Sequence, residues 1–299
     1  MKRNLLYLFA AALLTLTGVA CTEEPLSDIS VIQDSQREEN EFDRWITAHY
    51  TIPYNIEYKY RMEDIESDMN YNLIPADYIK AKQLALLTIH LCLGAYDEVT
   101  GSRAFIAENF PKMIHVIGSP AVRNDGSIVL GTAEGGQKIS LYSTNYLRLD
   151  SIQFLNYWYF HTMHHEFGHI LNQKKPYSAD FKALSAKDYR SDSWISLAVN
   201  EDDALKLGFI TAYASSEPGE DFVELISVYV TETQEQWEER LRKAMPDNPD
   251  DEINGKDLIE AKFEIVYNYM LDSWNIDLTA LRETVQQRQA TINTLDFNF

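Results

Sequence analysis

Four of the seven histidines of this chain fall within nine residues, at positions 161, 164, 165 and 169. The run His165-Glu166-Phe167-Gly168-His169 could do chemistry if it is helical. Residues four apart on a helix lie one turn apart on the same face. Two imidazoles placed that way can grip one ion at the Zn–N distance of ~2.0–2.1 Å found in zinc sites. Glu166 lies about 100° around the helix from His165, close enough to serve a water at the metal without taking a metal position. This is the H-E-x-x-H arrangement, in which zinc acidifies a water and the glutamate takes its proton and later gives it to the leaving amine. The flanking residues Phe154, Leu155, Tyr157, Trp158, Ile170 and Leu171 are apolar, which puts the motif on a buried helix. Gly168 costs about 1 kcal/mol inside a helix, so its presence predicts a packing or access reason. His161, one turn before His165, and His164 are expected to be core or supporting residues.

A zinc site of this type needs a third protein ligand and an open fourth position. The longer pattern H-E-x-x-H-x-x-G-x-x-H is excluded, because Asn172 stands where its glycine belongs and Lys175 where its third histidine belongs. A later carboxylate must then complete the set. Glu201 is one option, but Leu205 follows it four residues on. Glu220-Asp221-Phe222-Val223-Glu224 is the better one, since it opens an apolar helix with Glu220 and Glu224 on one face. Glu220 can bind the metal while Glu224 orients His165, and acidic residues at a helix start suit its macrodipole. A solvated acidic helix start is the competing reading of the same residues.

These segments carry a resemblance. His165-Glu166-Phe167-Gly168-His169, then Tyr213, then Glu220-Asp221-Phe222-Val223-Glu224 resembles the gluzincin pattern. It is similar to the zinc-binding metallopeptidase lipoproteins of Bacteroidetes and, over the two motif segments, to the catalytic domain of anthrax lethal factor. The resemblance implies a zincin-like fold with His165, His169 and Glu220 as Zn2+ ligands, Glu166 as general base, and Tyr213 as donor to the oxyanion. It departs from lethal factor at Asp221 and Val223, neither a ligand position. A phenol is a neutral donor at pH 7 and suits a developing oxyanion. With 18 tyrosines in the chain, a packed aromatic is the alternative at Tyr213.

The elements that must position these residues are legible in outline. Residues 54–61 alternate and are aromatic-rich, predicting a strand. Residues 75–96 carry apolar positions at helical spacing. Residues 113–118 read as a buried strand, and 127–130 and 138–142 as strands flanking a hairpin tip at Glu134-Gly135-Gly136. Helices are expected at 152–171, from near Gly219, and at 256–274, the last with Phe263, Val266, Tyr267, Met270 and Trp274 on one stripe. Strands early and helices late, without βαβ alternation, predict an α+β fold with a small mixed sheet beside the H-E-x-x-H helix. Zincin sites pair an extended peptide with a sheet edge. Residues 128–134 are therefore expected to run along the cleft, with Glu134 near its rim, unless the glycines there only turn a hairpin.

Composition sets the boundaries. With 299 residues and 45% hydrophobic content the chain can bury a large core, and a net charge of −20 argues against nucleic acid as a partner. Lys2, Arg3, an apolar run and Gly18-Val19-Ala20 precede Cys21. That order predicts a lipoprotein signal over 1–20, cleaved so that Cys21 carries lipid; an ordinary signal peptide cleaved near Ala20 is the alternative. Thr22-Glu23-Glu24 resembles the export signals of surface lipoproteins. The expected organisation is an acidic tether at 21–41 and a metallopeptidase domain at 42–299, its C-terminal helical part starting at about 236. The expected location is the outer membrane, facing the periplasm or the cell surface, with membrane contact through lipidated Cys21. Cys92 is expected to be a small buried hydrophobe. A zinc-dependent peptidase with a peptide or protein substrate is the leading functional reading. A non-catalytic glycan- or partner-binding lipoprotein on a metallopeptidase scaffold is the alternative, and intact Glu166 weighs against it.

Overall fold

Three long helical runs dominate the structure, a computed structural model that describes residues 38–62, 70–123, 128–129, 131–134, 137–248 and 254–299. The signal segment with Cys21, most of the tether, Ser127, Leu130, residues 135–136 and residues 249–253 lie outside the described residues. By its contacts, the chain from Glu41 to Phe299 forms one unit.

Helix α1 spans residues 41–54 and leads through Asn55, in the left-handed region, into strand β1, Glu57–Lys59. The strand is shorter than the alternation at 54–61 predicts, because Ile52–Tyr54 still belongs to α1. Helix α2 covers residues 78–100, capped at its start by Asp77, whose side chain accepts from Lys80 N, and ended by Gly101 at φ 69°. Helix α3 (Ala104–Asn109) delivers the chain to β2 (Met113–Val116).

The sheet overturns one expectation. Strands β3 (Ala121–Val122), β4 (Ile128–Val129), β5 (Gly131–Glu134) and β6 (Lys138–Leu141) follow β2, and the four-stranded order is β1-β2-β6-β5. Both β1 with β2 and β2 with β6 are parallel. Parallel neighbours need a crossover, and α2 and α3 provide it between β1 and β2. A βαβ connection is therefore present where none was expected: the sequence predicts both strands and the helix between them, but not the parallel pairing, which local pattern does not carry. Strand β5 is antiparallel to β6, with Gly131 opposite Leu141 and Glu134 opposite Lys138. The hairpin is thus built from 131–134 and 138–141. Ile128–Val129 pairs instead with Ala121–Val122 in a separate two-stranded ladder.

Helix α4 runs continuously over residues 152–174, with a π-helical turn at Asn156–Phe160 directly ahead of His161. It begins at Ser151, whose hydroxyl accepts from Phe154 N. After α5 (Ala179–Leu184) and α6 (Glu201–Lys206) comes α7, Pro218–Thr231, started by proline at its first position. Then follow α8 (Gln234–Lys243), α9 (Gly255–Trp274) and α10 (Leu278–Gln289). These C-terminal helices share the main core: Trp237, Ile259, Val266 and Leu281 pack in the same cluster as Phe160, Phe167 and Phe222. Burying each such large apolar side chain contributes about 1.5–3 kcal/mol. The chain end closes on its start, with the Phe299 ring stacked 4.2 Å from Trp45 of α1. Cys92 is fully buried and unpaired in α2. No helix among the described residues is long and apolar enough to cross a membrane.

Candidate metal centre

Helices α4 and α7 meet where α4 has no side chain. A Cβ at Gly168 would stand 2.9 Å from Val223 Cγ1 and 3.2 Å from Val223 Cβ. The glycine that weakens the isolated helix lets α7 approach, and this brings the acidic first two turns of α7 over the histidine face of α4. Edge strand β5 runs beside the same helix, with Cα atoms within 8 Å of it.

Three donor atoms converge there. His165 Nε2 lies 2.9 Å and His169 Nε2 3.3 Å from Glu220 Oε2, and the two nitrogens are 3.2 Å apart. A tetrahedral zinc with ligands at ~2.0 Å has ligand–ligand edges of ~3.3 Å, so the triangle has the size of one face of that tetrahedron. On its other side His165 donates Nδ1–H to Glu224 Oε1 at 2.7 Å. That bond fixes the tautomer, so Nε2 presents a lone pair to a carboxylate oxygen. Two lone pairs at 2.9 Å require a cation between them, either a proton or a metal ion. Two imidazole nitrogens and one carboxylate oxygen are a donor set suited to zinc, and these residues fit such an ion.

The electrostatics follow from the same contacts. Burial opposes charge on His165, but Glu220 and Glu224 outweigh it and raise its pKa to about 10. Burial would also raise Glu220, yet His165 and His169 pull its carboxyl down to about 2. Glu224 is held well below the usual carboxylate range by His161 and His165, against its burial. Glu166 goes the other way: burial raises its carboxyl, and the two neighbouring histidines only partly oppose this. A raised carboxyl is what a proton acceptor working near neutral pH needs.

Tyr213 sits on the 3-10 turn Tyr213–Ser215, its ring 5.9 Å from that of His165 and 38% exposed. Burial, then Glu220 and Glu224, raise its phenol pKa, so it stays a neutral donor. Trp194 packs edge-on against it at 5.1 Å. The turn is tied down by Arg190 N to Ser215 O (2.8 Å) and Ser191 N to Ser216 O (3.0 Å).

The sequence reading missed Thr211. Its hydroxyl donates to Glu224 Oε2 at 2.6 Å and accepts from Ala214 N at 3.1 Å, joining Glu224 to the turn that carries Tyr213. No motif signals it, since its partner lies 13 residues on and is set by tertiary packing. His161 also reaches Glu224 Oε1, at 2.8 Å, so His161, His165 and Glu224 form a second converging group. An ion there would have to displace the Nδ1–H that orients His165, and the group reads as hydrogen-bonded support. His164 points the other way, into the core, where Tyr96 lies 3.0 Å from its Nδ1. Glu201, the rival third ligand, is exposed, 3.9 Å from Arg240, and belongs to no converging group among the described residues. A groove of about 440 Å³ between α6 and α8 contains Glu201 and is lined with no histidine.

The family described as “putative zinc-binding metallo-peptidase” matches residues 35–279. A crystal structure described as a “putative zinc-binding metallo-peptidase” from Bacteroides caccae is 39% identical, with a TM-score of 0.75, over 90% of this chain and 99% of that one. Among curated proteins there is no match.

Proposed function

The chain belongs to the family of “putative zinc-binding metallo-peptidases”, and from that premise we propose that it is a zinc-dependent peptidase acting at His165, Glu166, His169, Tyr213 and Glu220. The observation that carries the reading is the triangle of His165 Nε2, His169 Nε2 and Glu220 Oε2, with edges of 2.9, 3.2 and 3.3 Å. Zinc held there supplies Lewis acidity, which acidifies a water and polarises a carbonyl. Glu166 takes the proton of the attacking water at its carboxylate and returns it to the leaving amine, a role suited to its raised carboxyl. Tyr213 donates its hydroxyl to the oxygen that gains negative charge. Edge strand β5 offers backbone groups for an extended peptide beside the motif helix.

The chain purified from residue 22 onward is expected to hold one zinc. Chelation is expected to abolish cleavage of a peptide library, and zinc to restore it. A protein that takes up no zinc on reconstitution sinks the reading. The reading also includes lipid on Cys21 and attachment to the outer membrane, supported by the order of residues 1–24. Fatty-acid labelling that persists in Cys21→Ala would refute that part.

His165 gives a pH prediction with a definite sign. Its pKa is raised to about 10, so in the metal-free protein its contribution to stability is full below its ordinary value of 6.5 and is lost as pH rises through about 10. Zinc must replace that proton. At pH 7 to 8, zinc binding is expected to release about one proton, with affinity rising up to about tenfold per pH unit until His165 has titrated. Calorimetry in buffers of different ionisation enthalpy measures this. A binding heat that does not depend on the buffer contradicts it.

A further inference from the structure

The Glu224 carboxylate is nearly sealed from solvent, at 4% side-chain exposure, and takes three hydrogen bonds from two elements. His165 Nδ1 and His161 Nε2, both on α4, lie 2.7 and 2.8 Å from one oxygen, Oε1. Thr211 donates to the other oxygen at 2.6 Å from the loop ahead of Tyr213. The two oxygens are thus held from different parts of the chain. Thr211 ties Oε2 to its own loop, and His165 holds Oε1 from α4. His161 supplies the second bond from α4, and Oε1 has one lone pair for each histidine. Ser227 Oγ also lies 3.4 Å from His161 Nε2. Apolar packing does not account for a histidine here, since its side chain is a quarter exposed (25%) and its polar atom points inward at the carboxylate.

We propose that His161 is a positioning residue. By donating Nε2–H to Glu224 Oε1 it fixes the carboxylate that aims His165, and so it sets how tightly and for how long the centre holds zinc. This rests on the reading of His165, His169 and Glu220 as the zinc ligands. Residues that orient a ligand from behind typically account for roughly 10–100-fold in metal affinity. His161 acts only through Glu224, so its effect must vanish when Glu224 can no longer accept its bond.

The test is the rate at which the zinc-loaded chain releases zinc to a chromogenic chelator at one fixed pH. His161→Leu is expected to speed release by roughly 10–100-fold. His161→Gln, whose amide nitrogen can occupy the place of Nε2, is expected to recover most of the loss. His161→Leu combined with Glu224→Ala is expected to release zinc no faster than Glu224→Ala alone. If His161→Leu does not fold, His161→Asn, too short to reach Glu224, carries the same expectation. Several results overturn the proposal: release at the wild-type rate in His161→Leu, no recovery in His161→Gln, or full additivity with Glu224→Ala. A lowered unfolding midpoint of the metal-free protein with unchanged zinc release assigns His161 a merely structural role and also overturns it. A wild-type chain that retains no zinc overturns the metal reading itself, a result distinct from a wild type and a His161→Leu variant that hold zinc equally well.

Discussion

Glu220→Ala is expected to strip the chain of zinc, and Glu166→Gln to leave zinc bound while peptide cleavage falls by roughly 10²–10⁴-fold. The two carboxylates sit close together but do different work. Glu220 Oε2 is within 2.9 and 3.3 Å of the two histidine nitrogens, so its loss opens the donor triangle. The affinity lost should exceed the roughly 10–100-fold that a supporting residue costs, and Glu224→Ala should stay within that smaller range. Glu166 makes no such contact, and its carboxyl is raised where that of Glu220 is lowered to about 2. Glutamine at 166 keeps the shape and cannot accept the proton. Metal content after dialysis, measured beside peptide cleavage, separates the two roles. Should Glu201→Ala remove the metal while Glu220→Ala keeps it, the third ligand has been misassigned.

The parts of this arrangement that were legible in sequence depend on local spacing. His165 and His169 are one turn apart on any helix, and Glu220 pairs with Glu224 by the same rule, so each pair could be read without knowing the fold. Bringing the two helices together needed only one further clue, Gly168, whose missing side chain makes room for Val223. What could not be read depends on contacts distant in sequence. The strands at 54–61 and 113–118 and the helix between them could be read locally, but not that the two strands lie side by side in parallel. Val129 looks continuous with the 131–134 strand but pairs with Ala121 instead. Thr211 carries no motif, because its bond to Glu224 exists only once α7 has docked. Helix α9 is legible only in part. Of the expected stripe, Val266 and Met270 are buried and Phe263, Tyr267 and Trp274 pack partly buried against the core, but Ile259, Lys262 and Tyr269 are buried as well. A lysine at a core position defeats a reading based on hydrophobicity, since its partner cannot be seen from the helix itself.

That lysine leads to the second large effect. Lys262→Met is expected to lower the unfolding free energy of the metal-free protein by about 3–5 kcal/mol, the usual cost of leaving one member of a buried ion pair alone. Lys262 Nζ lies 2.6 Å from Asp221 Oδ2, and both side chains are fully shielded from solvent. Tyr189 donates to the same oxygen at 2.8 Å, Lys262 also donates to Gly208 O at 2.8 Å, and the ammonium stands 4.1 Å over the Phe209 ring. Desolvation nonetheless prevails over pairing on both sides, raising the Asp221 carboxyl to about 6 and lowering the Lys262 ammonium. Without Lys262 the carboxyl must rise further. A carboxyl whose folded pKa is raised contributes stability below its unfolded value, and that contribution is lost as pH rises through the folded one. The deficit of Lys262→Met should therefore be larger at pH 8 than at pH 5, which urea unfolding at the two values will measure. Adding Asp221→Leu removes the stranded charge and should restore most of the loss. The consequence reaches the metal, because Asp221 directly follows Glu220 in the first turn of α7. Lys262→Met should thus also weaken zinc binding, and the Asp221→Leu double variant should recover it. A loss under about 1 kcal/mol, or a double variant less stable than Lys262→Met alone, would show that the pair does not anchor the start of α7.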